Sequence, residues 1–463
     1  MGIRVAEGFA RLNFFRKMRF GKLILFLFVC FFACGSLFAG EPEKAGKAAV
    51  LAGKFQSWWK MPAEEVCRKW RLRWETSLAN GGSPTYSAYC SSGQKILGVQ
   101  VAQIKFDTEE GVLACAEFMF FNKGDWGIYF SDHEDKHERE RFAESQDDDG
   151  RKSRKTSKER RKARQEQARL EEKEKESQKQ KEIKIREEWQ NCERQVRGAL
   201  SQLGEPRRIP WGGGKLRHRA DSWTASGTVF VLDVKENEYV RLIAVPEEKL
   251  EKFSSGTMTR VKSNFSRMKK LRKTALGDVV IDTIPMVNQG AKGYCAPATV
   301  ERVLLYYGVE NIDMHEISRL AETGAGGGTA VRVLIEKVGE VVRRNNLKFE
   351  EAEMSFSTIK RRIDRGTPLL WCLFAIPEYQ ERARVITEGR KNIKSIGEWR
   401  KKLDVMPPIK RLSTNAHMCL IIGYNAKTRE VCVSDSWGEF ARERWVRFDD
   451  VSAVGYALHA LER

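Results

Sequence analysis

Four side chains suited to acyl chemistry at a cysteine stand in a workable chain order. Gln289 and Cys295 lie six positions apart in Gln289-Gly290-Ala291-Lys292-Gly293-Tyr294-Cys295-Ala296-Pro297-Ala298-Thr299. Far downstream come His417 and the tetrapeptide Asp435-Ser436-Trp437-Gly438. A thiol that attacks an acyl carbon needs a base to take its proton and a third group to hold that base. A polar donor must also meet the oxygen that becomes negative. Cys295 is the candidate nucleophile, His417 the base, Asp435 the orienting carboxylate and Gln289 the oxyanion donor.

These residues need particular elements around them. A short strand over Asp278 to Ile284 leads into the 289–294 loop, and a helix is expected from Cys295 to Tyr307, stopped by Gly308. Val300, Val303, Leu304 and Tyr307 give it an apolar stripe. Pro297 falls in the first turn, where a missing N–H does no harm. Cys295 therefore opens a helix, whose partial positive charge favours thiolate over thiol. A second helix spans Met314 to Glu322, and a third runs from Ile359 to Arg365. Leu369 to Ile376 reads as a buried strand and Pro377 to Thr414 as a polar excursion. A hairpin then pairs Ala416–Tyr424 with Glu430–Ser436, and further strands are expected at Trp445–Phe448 and Val454–Leu461. The hairpin brings His417 and Asp435 together. His315 has no carboxylate or amide strand to orient it, and His459 reads as structural.

The loop Gly324-Ala325-Gly326-Gly327-Gly328-Thr329 precedes a helix beginning near Ala330. It lacks the Gly-Lys-Ser/Thr of a phosphate loop. A tight turn with an N-cap is the plain reading, and a backbone edge for an extended peptide is another.

On these residues the segment from about Gly277 to Leu461 resembles the papain-like cysteine peptidase superfamily, and more closely its bacterial C39-like branch. Gln289 and its spacing to Cys295 match the family's oxyanion glutamine and nucleophile. His417 matches the base, and Asp435 stands where the orienting Asn or Asp belongs. Ser436-Trp437-Gly438 is similar to the papain-type sequence whose Trp covers the His–Asn pair. One departure is Ala296, where papain has an aromatic residue. The resemblance implies an α+β domain with a helical lobe and an antiparallel β lobe. It implies that Cys295 thiolate attacks a carbonyl carbon while Gln289 and the Cys295 N–H meet the oxyanion. His417 then protonates the leaving amine and later activates water. It implies no cofactor and no metal. The expected partner is a peptide or protein substrate, through hydrolysis of peptide or isopeptide bonds. Acyl transfer to an amine is a second reading, and a non-catalytic surface-binding module of the same fold is a third. Retention of all four positions speaks against the last.

Upstream, residues 45–250 read as a smaller α+β module. Trp58, Trp59, Trp70 and Trp74 suggest helix, and strand-like runs at Leu97–Phe106 and Val112–Phe121 flank the turn formers Asp107 to Gly111. Residues 131–188 form a charged insert, nearly all Lys, Arg, Glu, Gln and Ser from Arg151 to Arg186. It has no sustained apolar heptad, so a solvated lone helix of roughly 50 Å is expected, or a partly disordered spacer. A polyanion-binding arm is the alternative. Cys192 to Leu203 reads as a separate helix, Pro210 to Gly214 as a loop, and Ser226–Val234 and Tyr239–Val245 as strands. Residues 251–275 are basic and read as a linker or a solvated helix face. Cleavage of such a linker would release the domain at 276–463.

Composition narrows the class. The chain has 463 residues, 41 % hydrophobic and 31 % charged, with a formal net charge of +19. Two or three domains are expected. No nucleic-acid-binding motif accompanies the basic residues, so no nucleic-acid partner is expected. Arg16, Lys17, Arg19 and Lys22 precede an apolar run from Leu23 to Ala33, and small residues follow up to Ala39. That order is a secretory signal peptide over residues 1–39, or else an uncleaved anchor. An exported protein is expected, touching the membrane through its leader. Of ten cysteines, two lie in that leader. The rest show no zinc spacing and read mostly as small buried apolar residues.

Overall fold

A computed structural model describes residues 46–78, 83–90, 93–127, 157–212, 216–254, 271–309, 312–325, 327–410, 412–413 and 416–462. The leader at 1–39, the start of the charged insert and most of the basic linker lie outside the described residues. The chain is α+β, and its described strands form two eight-stranded antiparallel sheets and one two-stranded ladder. Gly46–Arg463 forms one compact unit.

The N-terminal sheet has eight strands, all antiparallel. In spatial order they are Glu75–Leu78, Pro84–Tyr89, Gln103–Glu109, Val112–Asn122, Tyr239–Pro246, Thr228–Lys235, His218–Ala225 and Arg207–Trp211. Strict alternation in Gln103–Glu109 turns Ile104, Phe106 and Thr108 inward. Helix Lys47–Trp58 covers that face, where Phe55 packs on Phe118 at 6.1 Å and on Phe230 at 6.0 Å. Trp74 stacks on Phe106 at 4.9 Å.

Several expectations change here. The run Leu97–Phe106 is broken into Lys95–Ile96, Val99–Gln100 and Gln103–Glu109, because Leu97 and Gly98 take positive φ and form a turn. The expected loop at Pro210–Gly214 begins as strand, since Arg207–Trp211 is the sheet's outermost strand. Pro210 there forfeits only an unpaired edge position. The charged segment and the helix expected at Cys192 are one helix, Ser157–Leu200. Its 44 residues span about 66 Å at 1.5 Å per residue. Its C-terminal part is anchored through buried Ile185, Trp189, Val196 and Leu200 on one face.

The C-terminal sheet runs Leu271–Lys273, Asp278–Ile281, Ala416–Asn425, Leu369–Phe374, Gly455–Glu462 and Lys348–Glu351. Glu430–Ser434 pairs with both Ala416–Asn425 and Arg444–Arg447. Leu271–Lys273 was expected to be linker but pairs with Asp278–Ile281, so the sheet begins earlier. The polar excursion contains two helices, Pro377–Arg390 and Ile396–Asp404. Val454 ends a short helix, Phe448–Val454, before the last strand starts. No described helix is long and apolar enough to cross a membrane.

Candidate active site

Helix Cys295–Tyr306 lies against the Ala416–Asn425 strand, where Thr299 Oγ1 donates to the Met418 carbonyl at 3.1 Å. Arg302, one turn further on, is fully buried. Its guanidinium reaches the Pro285 carbonyl at 2.9 Å, the Ser434 carbonyl at 3.0 Å and Ser434 Oγ at 2.5 Å. One side chain thus ties the nucleophile's helix to the strand end just before Asp435. Cys295 occupies the first position of that helix and is partly buried. No side chain caps the helix, and the Ala296 backbone hydrogen-bonds the Cys295 sulfur at its start.

His417 and Asp435 meet through strand register. Leu420 faces Ser434 across the hairpin, so Asp435 comes level with the strand face that carries His417 and Cys419. His417 Nε2 lies 2.8 Å from Asp435 Oδ1. The imidazole also hydrogen-bonds the Cys295 thiol. Trp437 stacks on the imidazole, with centroids 4.9 Å apart and planes 25° from parallel. The second oxygen of Asp435 accepts from Arg444 Nη1 at 2.6 Å, and Arg444 Nη2 donates to Gln380 Oε1 at 2.7 Å.

The electrostatics follow from these contacts. Burial alone would raise the Cys295 thiol, but the hydrogen bond and charge of His417, with backbone N–H help, bring it below its ordinary value. Burial would lower His417, yet Asp435 and Cys295 together push it up to about 9. Both shifts favour a thiolate–imidazolium pair near neutral pH. Burial works against the Asp435 carboxylate, and His417 and Arg444 outweigh it and hold its carboxyl below the usual range.

Gln289 is buried beside this group, on a loop tied to the segment after Asp435. Its backbone N–H donates to the Ser436 carbonyl at 2.8 Å. Its side-chain amide donates to the Lys292 carbonyl at 2.7 Å. An amide nitrogen carries two hydrogens, so one remains for an oxyanion.

His315 is buried and accepts from Asn122 at 2.7 Å, while Asn122 Oδ1 receives the Gly124 N–H. Burial pushes this imidazole down to about 3, so it stays neutral and distant in role from the Cys295 pair. His459 sits in the last strand, opposite Leu370.

His417, Cys419 and Asp435 offer ligand atoms within 4.8 Å of one another. The fit to a cation is poor. Both Asp435 oxygens are engaged, and burial raises the Cys419 thiol well above its usual range, away from the thiolate a metal needs.

Sequence reading gives no role to Arg302 or Arg444, although it singles out Trp437. Arg444 also lies 5.4 Å over the Trp437 ring. Arginines carry no signal of burial in a chain so rich in them. Their strand and helix positions, facing inward, were the available clue.

No curated protein matches the chain. Residues 281–456 match the Peptidase_C39 like family, a span that holds Gln289, Cys295, His417 and Asp435. The C-terminal region of this chain is therefore a C39-like domain of the papain-like peptidase superfamily.

Proposed function

We propose that the chain is a cysteine peptidase that hydrolyses peptide or isopeptide bonds through Cys295, His417 and Asp435. Gln289 and the Cys295 backbone N–H stabilise the oxyanion. The observation that carries this reading is the continuous relay from a partly buried cysteine at a helix start, through His417, to a buried carboxylate. Attack by the thiolate forms the acyl-enzyme as the imidazolium gives its proton to the leaving amine. Water then enters, His417 takes its proton, and the acid is released with the thiolate restored.

The test uses purified protein and iodoacetamide at pH 6. Cys295 is expected to label at least tenfold faster than every other cysteine, and His417→Ala removes that preference. Cleavage of a denatured-proteome peptide library by the wild type, and none by Cys295→Ala, completes the assignment. Equal sluggishness of all thiols would sink it. The leader supports export, which N-terminal sequencing of protein recovered from the envelope or medium would check. A start at residue 40 is expected, and an intact leader argues for an anchored form.

A further inference from the structure

The loop that carries Gln289 is gripped from outside the C39-like region. Asn288 donates from its amide to Glu75 Oε2 at 2.8 Å, and its carbonyl accepts the Tyr89 hydroxyl. The Tyr89 ring lies against Gly290, where a Cβ would come within 2.6 Å of a ring carbon. Gly290 takes φ +65°, so the loop can press this closely only with glycine there. Lys292 is buried at 2 % exposure. Its ammonium sits 4.5 Å over the same Tyr89 ring and 3.2 Å from Asp125 Oδ1. Glu75, Tyr89 and Asp125 all belong to the N-terminal sheet or the turn that follows its fourth strand.

Inside the loop, the Lys292 carbonyl receives the Gln289 amide. The place of the oxyanion donor therefore depends on where Lys292 sits. A buried ammonium without a counter-charge is costly, so Lys292 stays in place only while Asp125 faces it. Burial lowers the Lys292 ammonium and Asp125 opposes that shift.

We propose that the N-terminal sheet is an intramolecular activator of the peptidase site, with Glu75, Tyr89 and Asp125 as positioning residues that hold Gln289 through Asn288 and Lys292. This rests on the peptidase reading above. It differs from an inhibitory role, because these contacts fall on the back of the oxyanion loop and none is made to Cys295 or His417 among the described residues.

The experiment separates oxyanion placement from the thiolate pair. The full chain is assayed on N-benzyloxycarbonylglycine p-nitrophenyl ester, whose turnover uses both. Iodoacetamide alkylation uses only the thiolate. Asp125→Asn is expected to lower kcat ten- to a hundredfold, with KM within about twofold and the alkylation rate at pH 6 unchanged. Adding Lys292→Met removes the stranded charge, and kcat is expected to recover at least fivefold. Tyr89→Phe gives an independent arm that keeps the ring and drops only the hydroxyl, with an expected loss of three- to tenfold in kcat. Unchanged kcat in both Asp125→Asn and Tyr89→Phe overturns the proposal. So does a parallel fall of kcat and alkylation, which would mean the thiolate pair itself is disturbed. A wild type inert to both reagents instead overturns the peptidase reading, and this inference with it.

Discussion

At the residue scale, the imidazole at 417 is the group whose charge decides the pH window. Its value is set against burial by Asp435, so the carboxylate's charge is what Asp435→Asn removes while the hydrogen bond survives. Activity needs the imidazolium to protonate the leaving amine. It is therefore retained below the His417 value and lost as pH rises through about 9. In Asp435→Asn the alkaline limb of kcat/KM is expected to move down by about one unit. A pH–rate profile checks this, and an unmoved limb would show that Asp435 does not set the His417 charge. Arg444→Met works in the other direction. It strips Asp435 of its guanidinium partner, leaving His417 as the cation beside the buried carboxylate, and should cost about 3 kcal/mol in urea unfolding. The pair of His417 and Asp435 was legible in sequence because a hairpin joins them. Arg444 was not, since Arg442 and Arg447 look the same on paper, and only the folded chain sends each to a different partner, Arg442 to the Ile284 carbonyl, Arg447 to Asp450 and Arg444 to Asp435.

At the element scale, the nucleophile's helix is fixed by Arg302 as well as by its apolar stripe. Burial holds that guanidinium down at about 10, still charged at neutral pH, with three acceptors around it. Arg302→Met is expected to destabilise by at least about 3 kcal/mol, because Ser434 and Pro285 lose a charged donor inside the core. Chemical denaturation measures it, and a loss under 1 kcal/mol would mean the stripe alone suffices. The other end of the helix start is held by Tyr294, whose ring fills the space above Gly124. A Cβ at that glycine would stand 2.5 Å from the ring. Gly124→Ala should therefore lower the melting temperature by several degrees, since rigid atoms on both sides must separate. The helix at Pro377–Arg390 shows why part of the fold was hidden. Tyr379, Ala383, Ile386 and Arg390 are its buried residues, a clean helical spacing. Arg390 reads as surface in sequence, yet here it pairs with Asp278 and Glu430 and lies 3.8 Å over Trp445. One buried charge was enough to disguise the period.

At the scale of the whole molecule, the N-terminal sheet and the helix Met314–Leu320 with its N-cap share a seam of buried polar contacts. Arg241 pairs with Asp313 and with Asp233, Tyr239 donates to Glu316, and Asn122 meets His315. The sequence placed a linker between separable parts, because contacts across a seam leave no mark on local composition. A chain cut once between residues 255 and 270 is expected to elute as a single species in size-exclusion chromatography at 0.15 M salt. Two separated peaks would show that the seam does not hold. Glu301 adds a pH signature to this seam. Burial first, then Asp313, raises its carboxyl to about 8. A carboxyl raised on folding contributes stability that is full below its unfolded value near 4.5 and fades as pH rises through 8. Glu301→Gln should flatten that decline, read as melting temperature from pH 5 to 9.

Every strand that grips the oxyanion loop is encoded upstream of Cys295. Synthesis runs in the same direction, and the earlier part of a chain folds first. That side of the loop's surroundings is thus made before the thiol emerges from the ribosome, while Ser436, which holds Gln289 from the other side, follows later. Reactivity arrives on a template already begun, so a chain interrupted before Cys295 ends as a scaffold with no nucleophile to misfire, and one interrupted before His417 carries a thiol without its base.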